Sequence, residues 1–191
     1  MRELIARVFT YALDGSAEAE SGTRYMEFCR GKWESTDSVL GPTTELFRCA
    51  DAIIMGRVAY EGMAESFAPG GTLPEHPFTP IFNAARKVVF SRTLKSADWA
   101  NTTIAAGDTA EEIDKLRQGG DGHIVVYGGL SLWQSLMWLD LIDVLYLSLL
   151  PYVAGEGRRL FDDVGKYGAL DLVSSMTLSN GVILLEYRRH R

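Results

Sequence analysis

The chain has 191 residues, 47% hydrophobic and 23% charged, enough for one domain with a substantial core and short for two. A formal net charge of −6, with no cluster of Lys or Arg to offset it, argues against a nucleic-acid partner while leaving room for a small anionic ligand. Cys29 and Cys49 form no close pair and His76, His123 and His190 are scattered, which argues against a disulfide framework or a metal site and for a reducing cytoplasm.

Met1-Arg2-Glu3 leads directly into an apolar run over Leu4–Leu13, with no signal-peptide pattern, and this run reads as the first strand. Residues 24–33 and 43–50 read as helices, AIIM (52–55) as a strand and Val58–Ala64 as a helix. Residues 65–80, rich in proline and glycine, read as a long loop of the kind that is functional or mobile. KVVFS (87–91) and Thr102–Ala106 read as strands. Asp108 caps a helix over Thr109–Gln118, with Glu111 and Glu112 in its first turn. HIVVY (123–127) reads as a strand, Leu130–Leu139 as a helix and VLYLSLL (144–150) as a strand. Two last strands are joined at Ser179-Asn180-Gly181, where Asn-Gly favours a tight hairpin turn. Arg188, Arg189 and Arg191 read as a solvated basic end.

The apolar stretch from Ile124 to Ala154 raises the question of a membrane span. Asp140 and Asp143 in its middle, the Gly128-Gly129 pair and Pro151 break it into buried strand, helix and strand, so no membrane partner is expected. IIM, VVF and IVV are apolar on both faces, the pattern of a largely parallel sheet covered by helices on both sides. The expected architecture is a three-layer α/β/α domain over residues 1–191, its mixed sheet mostly parallel and ending in an antiparallel hairpin.

Three of these strands end in chemistry suited to phosphate. IIM leads into Gly56-Arg57-Val58, VVF into Ser91-Arg92-Thr93, and IVVY into Gly128-Gly129-Leu130-Ser131 before a helix. Paired glycines allow close backbone approach, a helix start favours negative charge, and arginine offers a planar fork of donors. Each ending alone has an ordinary structural reading; three on neighbouring buried strands point to one anion site beyond the carboxyl edge of the sheet.

The motifs LDG (13–15), IIMGRVAYEG (53–62), KVVFSRTL (87–94), VVYGGLSLWQSL (125–136) and LLPYVAGEGRRLF (149–161) span most of the chain. On these the chain resembles the dihydrofolate-reductase-like superfamily, and within it the reductase domain of riboflavin biosynthesis. The resemblance implies bound NADPH and hydride transfer to a C=N or C=O carbon of a small heterocycle, such as the 5-amino-6-(5-phosphoribosylamino)uracil of that pathway. It implies that Arg57 with Ser91, Arg92 and Thr93 holds the adenosine 2′-phosphate, next to Gly56 and Val58. Gly128 and Gly129, with the amides of Leu130, Ser131 and Leu132, would cradle the pyrophosphate. Thr10 would lie near the nicotinamide, with Tyr11 or Asp14 close by, and Leu46 and Phe47 would contact substrate.

A true dihydrofolate reductase is an alternative, disfavoured because the helix before Asp51 reads GPTTELFRCA and places Leu40 where a folate-binding acid is expected. Asp37 and Glu45 are nearby, without clean alignment. A non-catalytic nucleotide-binding relative is a second alternative. Arg158 and Arg159 could hold a substrate phosphate or stand as a solvated pair. Trp133 and Met137 read as core, and Trp33 as a residue that could line a pocket opening. The apolar strands VLYLSLL and VILLEY could leave an edge or face covered by a second copy, making a homodimer by a twofold axis, or lie wholly in the core of one chain.

Overall fold

The computed structural model describes residues 2–20, 22–34, 40–165 and 168–190, with backbone alone for 33, 34 and 40. Ten strands and six helices are assigned among them. They are β1 (Leu4–Ala12), β2 (Ser16–Glu18), α1 (Arg24–Glu34), α2 (Leu40–Arg48), β3 (Ala50–Gly56), α3 (Arg57–Phe67), α4 (Thr79–Ala84) and β4 (Lys87–Phe90). Then follow β5 (Thr102–Ala105), α5 (Thr109–Arg117), β6 (His123–Tyr127), α6 (Leu130–Trp138), β7 (Val144–Leu150), β8 (Arg158–Arg159), β9 (Leu170–Thr177) and β10 (Ile183–Arg189).

One eight-stranded sheet runs in the order β5-β4-β3-β6-β1-β7-β10-β9, and β2 pairs with β8 in a small separate ribbon. The six strands from β5 to β7 are mutually parallel, while β10 runs antiparallel to both β7 and β9. The mixed, mostly parallel sheet with a C-terminal hairpin is therefore as the sequence pattern implies.

Alternation along each strand sends neighbouring residues to opposite faces. Ala6, Ile54 and Val126 join one cluster with Ile113 of α5 and with Leu130, Trp133 and Met137 of α6. Ile53, Met55 and Val125 join a second cluster with Phe47 of α2, Met63 of α3 and Phe82 of α4. The central strands are apolar on both faces because both are covered. Beyond Val8 the pairing of β1 with β7 slips by a bulge, and Ala12 joins a third cluster with Tyr25 and Cys29 of α1.

Two expectations change. Residues 65–80 are not one open loop: α3 continues to Phe67, and the segment after it folds back on that helix through Thr72 N–H to Glu65 O and Leu73 N–H to Ser66 O. Pro80, which looked like a breaker, stands in the first turn of α4, where a missing N–H costs nothing. Nor is the basic end a solvated tail. Arg188 pairs with Glu3 and Arg189 with Asp140 at 2.8 Å, both on β10; Arg191 lies outside the described residues.

The strands expected to cover a second copy, β7 and β10, lie inside the sheet. The exposed edge is β9, whose Leu172, Val173 and Met176 face solvent. Among the described residues no helix is long and apolar enough to cross a membrane.

Candidate active site

β3 leads to α3 and on to β4 on one side of the sheet, whereas β6 leads through α6 to β7 on the other. The chain thus leaves these two adjacent strands in opposite directions. Such a switch point opens a crevice beyond the carboxyl ends of the strands. The crevice is lined by the two glycine turns. Gly128 and Gly129 have φ of 66° and 89°, a left-handed conformation that glycine adopts without penalty. A Cβ on Gly129 would stand 3.6 Å from Gly56 N, and one on Gly128 would stand 3.5 Å from Ala59 Cβ.

The helices on the two sides of the crevice begin without side-chain caps. α3 starts at Gly56 and α6 at Gly129, and neither glycine can close the first turn. α5 is different: Asp108 accepts from Ala110 N–H at 3.0 Å and Glu111 N–H at 3.2 Å, completing its own N-terminus. At the crevice the same donors are left for a ligand, reinforced by the positive ends of both helices.

β3 and β4 pair in a register that sets Gly56 opposite Phe90, so Arg57 and Ser91 emerge level with each other. Ser91 Oγ accepts from Thr93 N–H at 3.2 Å and Leu94 N–H at 3.0 Å, fixing the turn; Arg92 and Thr93 are exposed. Arg57 pairs with Glu61 one turn along α3, at 3.1 Å, with both side chains about half exposed. This is a weak surface pair that a phosphate can outcompete. Val58 stands exposed beside Arg57. Arg57, Ser91, Arg92, Thr93, Gly56, Val58, Gly128 and Gly129 therefore share one edge.

The α6 donors need revision. Leu132 N–H already donates to Gly129 O at 2.9 Å, so it is committed to the helix; the side chains of Leu130 and Leu132 are buried. Leu130 N–H and Ser131 N–H remain as first-turn donors. Arg158 supplies what sequence reading placed elsewhere. The β2–β8 ribbon brings its guanidinium to Ser131 Oγ at 3.2 Å and to Glu18 at 2.9 Å, next to the start of α6.

The expected substrate residues fare differently. Thr10 lies near the carboxyl end of β1, but its hydroxyl donates to Ala17 O at 2.6 Å and ties down β2. Asp14 accepts from Gly155 N–H at 2.7 Å, and that bond holds its carboxyl below the usual carboxylate range. Both are structural ties. Phe47 is 1% exposed, in an aromatic cluster with Phe9, Phe78, Phe82 and Tyr127, so it is core. Leu46 sits low on α2, its carbonyl 2.7 Å from His123 Nε2 at the amino end of β6. Thr43, four residues before Phe47 on the same inner face, is the buried α2 residue nearer the crevice end.

Glu45 faces solvent and pairs with Arg48 at 2.9 Å, so it supplies no acid to the interior. Asp37, and the side chains of Trp33 and Leu40, lie outside the described residues. Trp133 and Met137 are core, as their helical spacing implies.

Sequence reading missed Arg7. It is fully buried on the α2 face of β1, where burial lowers its pKa to about 10. The available signal was a lone cation inside the otherwise apolar strand LIARVFTYA.

Known proteins share this fold. A curated relative, the uncharacterized protein YyaP of Bacillus subtilis, is 32% identical over 178 residues, covering 92% of this chain and 89% of its own. A solved structure from Shewanella sp. PV-4, named for riboflavin biosynthesis, superposes with a TM-score of 0.77 at 19% identity, over 100% of both chains. A dihydrofolate reductase from Enterococcus faecalis, solved with NADP(H), shares the fold with a TM-score of 0.58 at 16% identity, over 99% of this chain and 97% of its own. The RibD C-terminal domain model matches residues 4–184. Almost the whole described sheet falls inside that match, and the chain belongs to the RibD C-terminal domain family.

Proposed function

We propose that the protein is an NADPH-dependent reductase that passes a hydride to a polarised C=N or C=O carbon of a small heterocycle. The observation that carries this reading is the meeting of two uncapped helix starts, Gly56 and Gly129, at the switch point of a parallel sheet. The bound cofactor supplies the hydride; the chain's task is to hold and orient it. Leu130 N–H, Ser131 N–H and Arg158 bind the pyrophosphate. Arg57, Ser91, Arg92 and Thr93 bind the 2′-phosphate and select NADPH over NADH.

Titration of the protein with NADPH and NADH, followed by thermal shift, tests it. NADPH at a hundred times its dissociation constant stabilises by about 2.7 kcal/mol. Equal and negligible responses to the two cofactors remove the reading.

A second copy of the chain is the proposed partner, through the exposed β9 edge, where unpaired strand backbone and three apolar side chains invite pairing. Light scattering on the native chain and on a Val173→Lys variant reads the assembly. A monomeric native chain defeats this part.

A further inference from the structure

Arg7 lies outside the proposed dinucleotide cradle, yet it is fully buried. Its Nη1 donates to Val8 O at 2.7 Å and Tyr146 O at 3.3 Å; its Nη2 donates to Thr43 Oγ1 at 3.2 Å and Ser148 Oγ at 2.8 Å. Every one of these acceptors is neutral. Nε–H has no partner, and no carboxylate contacts the guanidinium among the described residues. An apolar residue of similar volume would serve packing better than a buried cation with no counter-ion among the described residues. Departures from that rule concentrate at functional sites.

The immediate surroundings complete the chemistry. Thr43 and Ser148 each accept from Arg7, which turns their own hydroxyl protons away from it. The cluster is therefore all donor: an unspent N–H and two O–H groups around a positive charge. The Phe9 ring lies 4.0 Å from the guanidinium carbon and the Tyr146 ring 5.0 Å, and both rings are only part-buried. The guanidinium covers the ring faces turned toward it, and the part-buried rings flank the charge.

The position fits a substrate rather than a cofactor. In the sheet Arg7 pairs with Tyr127 and with Tyr146, and Tyr127 is the residue directly before Gly128-Gly129. Thr43 comes from the inner face of α2. The cluster thus lies between β1, β7 and α2, one strand across from the glycine crevice.

We infer that Arg7, Thr43 and Ser148 form a substrate-recognition site for a planar oxyanion, a carboxylate or the ionised oxo group of a heterocycle, and that it rejects cationic rings. The inference rests on the reductase reading only for the statement that the occupant is the hydride acceptor.

Thermal shift on the full chain, with and without NADPH, tests it with three probes. Orotate presents a carboxylate, urate an ionised ring oxo group, and 2,4-diaminopyrimidine a cationic ring. One or both anions raise the melting temperature, and which of them does so identifies the source of the charge; 2,4-diaminopyrimidine does not. Arg7→Met weakens the anion response at least tenfold, beyond the lower melting point expected from losing four buried hydrogen bonds. A residue serving only structure would leave the anion response intact. Should Arg7→Met fail to fold, Thr43→Val and the native protein's preference between anion and cation decide the matter. Stabilisation by 2,4-diaminopyrimidine equal to that by the anions, or an undiminished anion response in the variant, overturns the site. A protein that responds to NADPH and to neither anion loses this site and keeps the reductase reading. One that responds to an anion and not to NADPH does the reverse.

Discussion

Gly129 and Gly56 touch: the turn that ends β6 lies against the turn that ends β3, with 3.6 Å between a Cβ on the first and the amide nitrogen of the second. The contact brings the starts of α3 and α6 together, and the site depends on it. Alanine at 129 is sterically tolerable at that distance, but its φ of 89° is not a conformation that L-residues favour. The strain costs about 1–2 kcal/mol, which lowers the melting temperature by about 2–8 °C for a chain of this size. NADPH affinity falls further than stability does, because the reoriented amides no longer converge. An unchanged NADPH titration in Gly129→Ala shows that the two turns are not a ligand cradle.

Arg57 separates the two cofactors. Its pair with Glu61 is exposed, so Arg57→Ala costs stability no more than about 0.5 kcal/mol. Loss of a guanidinium–phosphate contact weakens NADPH binding about tenfold, the equivalent of ~1.4 kcal/mol, and leaves NADH binding unchanged. Fluorescence titration of both cofactors reads this, and equal weakening of the two refutes the assignment.

Arg158 gives the complementary result. It stands at Ser131, by the start of α6, rather than at the β3–β4 edge. Both cofactors carry a pyrophosphate, so Arg158→Ala weakens NADPH and NADH alike. A loss confined to NADPH moves this arginine to the 2′-phosphate; no loss for either leaves it a tie from β8 to Glu18 of β2 within the ribbon.

Lys87 makes stability depend on pH. Its ammonium is buried at the foot of β4, donating to Phe82 O at 2.7 Å and Ala85 O at 2.8 Å past the end of α4. Burial lowers its pKa from 10.5 to about 8. The unfolded chain therefore holds the extra proton between those two values, and stability rises with pH across that window. Cys29, pushed from 9.0 to about 11 by burial, opposes this above 9.0, and Tyr127, pushed up to about 12, opposes it above 10.0, so the comparison belongs below about pH 9. Urea midpoints climb with pH in the native chain and stay flatter in Lys87→Met. Parallel profiles for the two proteins would show that the burial carries no such penalty.

Much of the architecture was legible in the chain. IIM, VVF and IVV announced a covered parallel sheet because a strand buried on both faces has no polar positions to alternate. Asp108 announced α5, and its carboxylate caps that helix as expected. Asn180-Gly181 announced the C-terminal hairpin, in which Gly181 has a φ of 84°. α4 was hidden because proline reads as a breaker in sequence and acts as a starter in the first turn. β2 and β8, of three and two residues, are too short to carry a period and exist only by pairing with each other.

For the site, the sequence by itself determined which strand ends carry phosphate chemistry, because glycine turns, helix starts and arginines declare it within a few consecutive residues. Only the tertiary structure decided what faces what. It sent Phe47 into an aromatic core, spent the side chains of Thr10 and Asp14 on holding β2 and the turn at Gly155, and moved Arg158 to the start of α6. It also set Arg7, Thr43 and Ser148 around one buried charge. Those three lie up to 141 positions apart, and packing of α2 and β7 around β1, which no local pattern encodes, is what makes them neighbours.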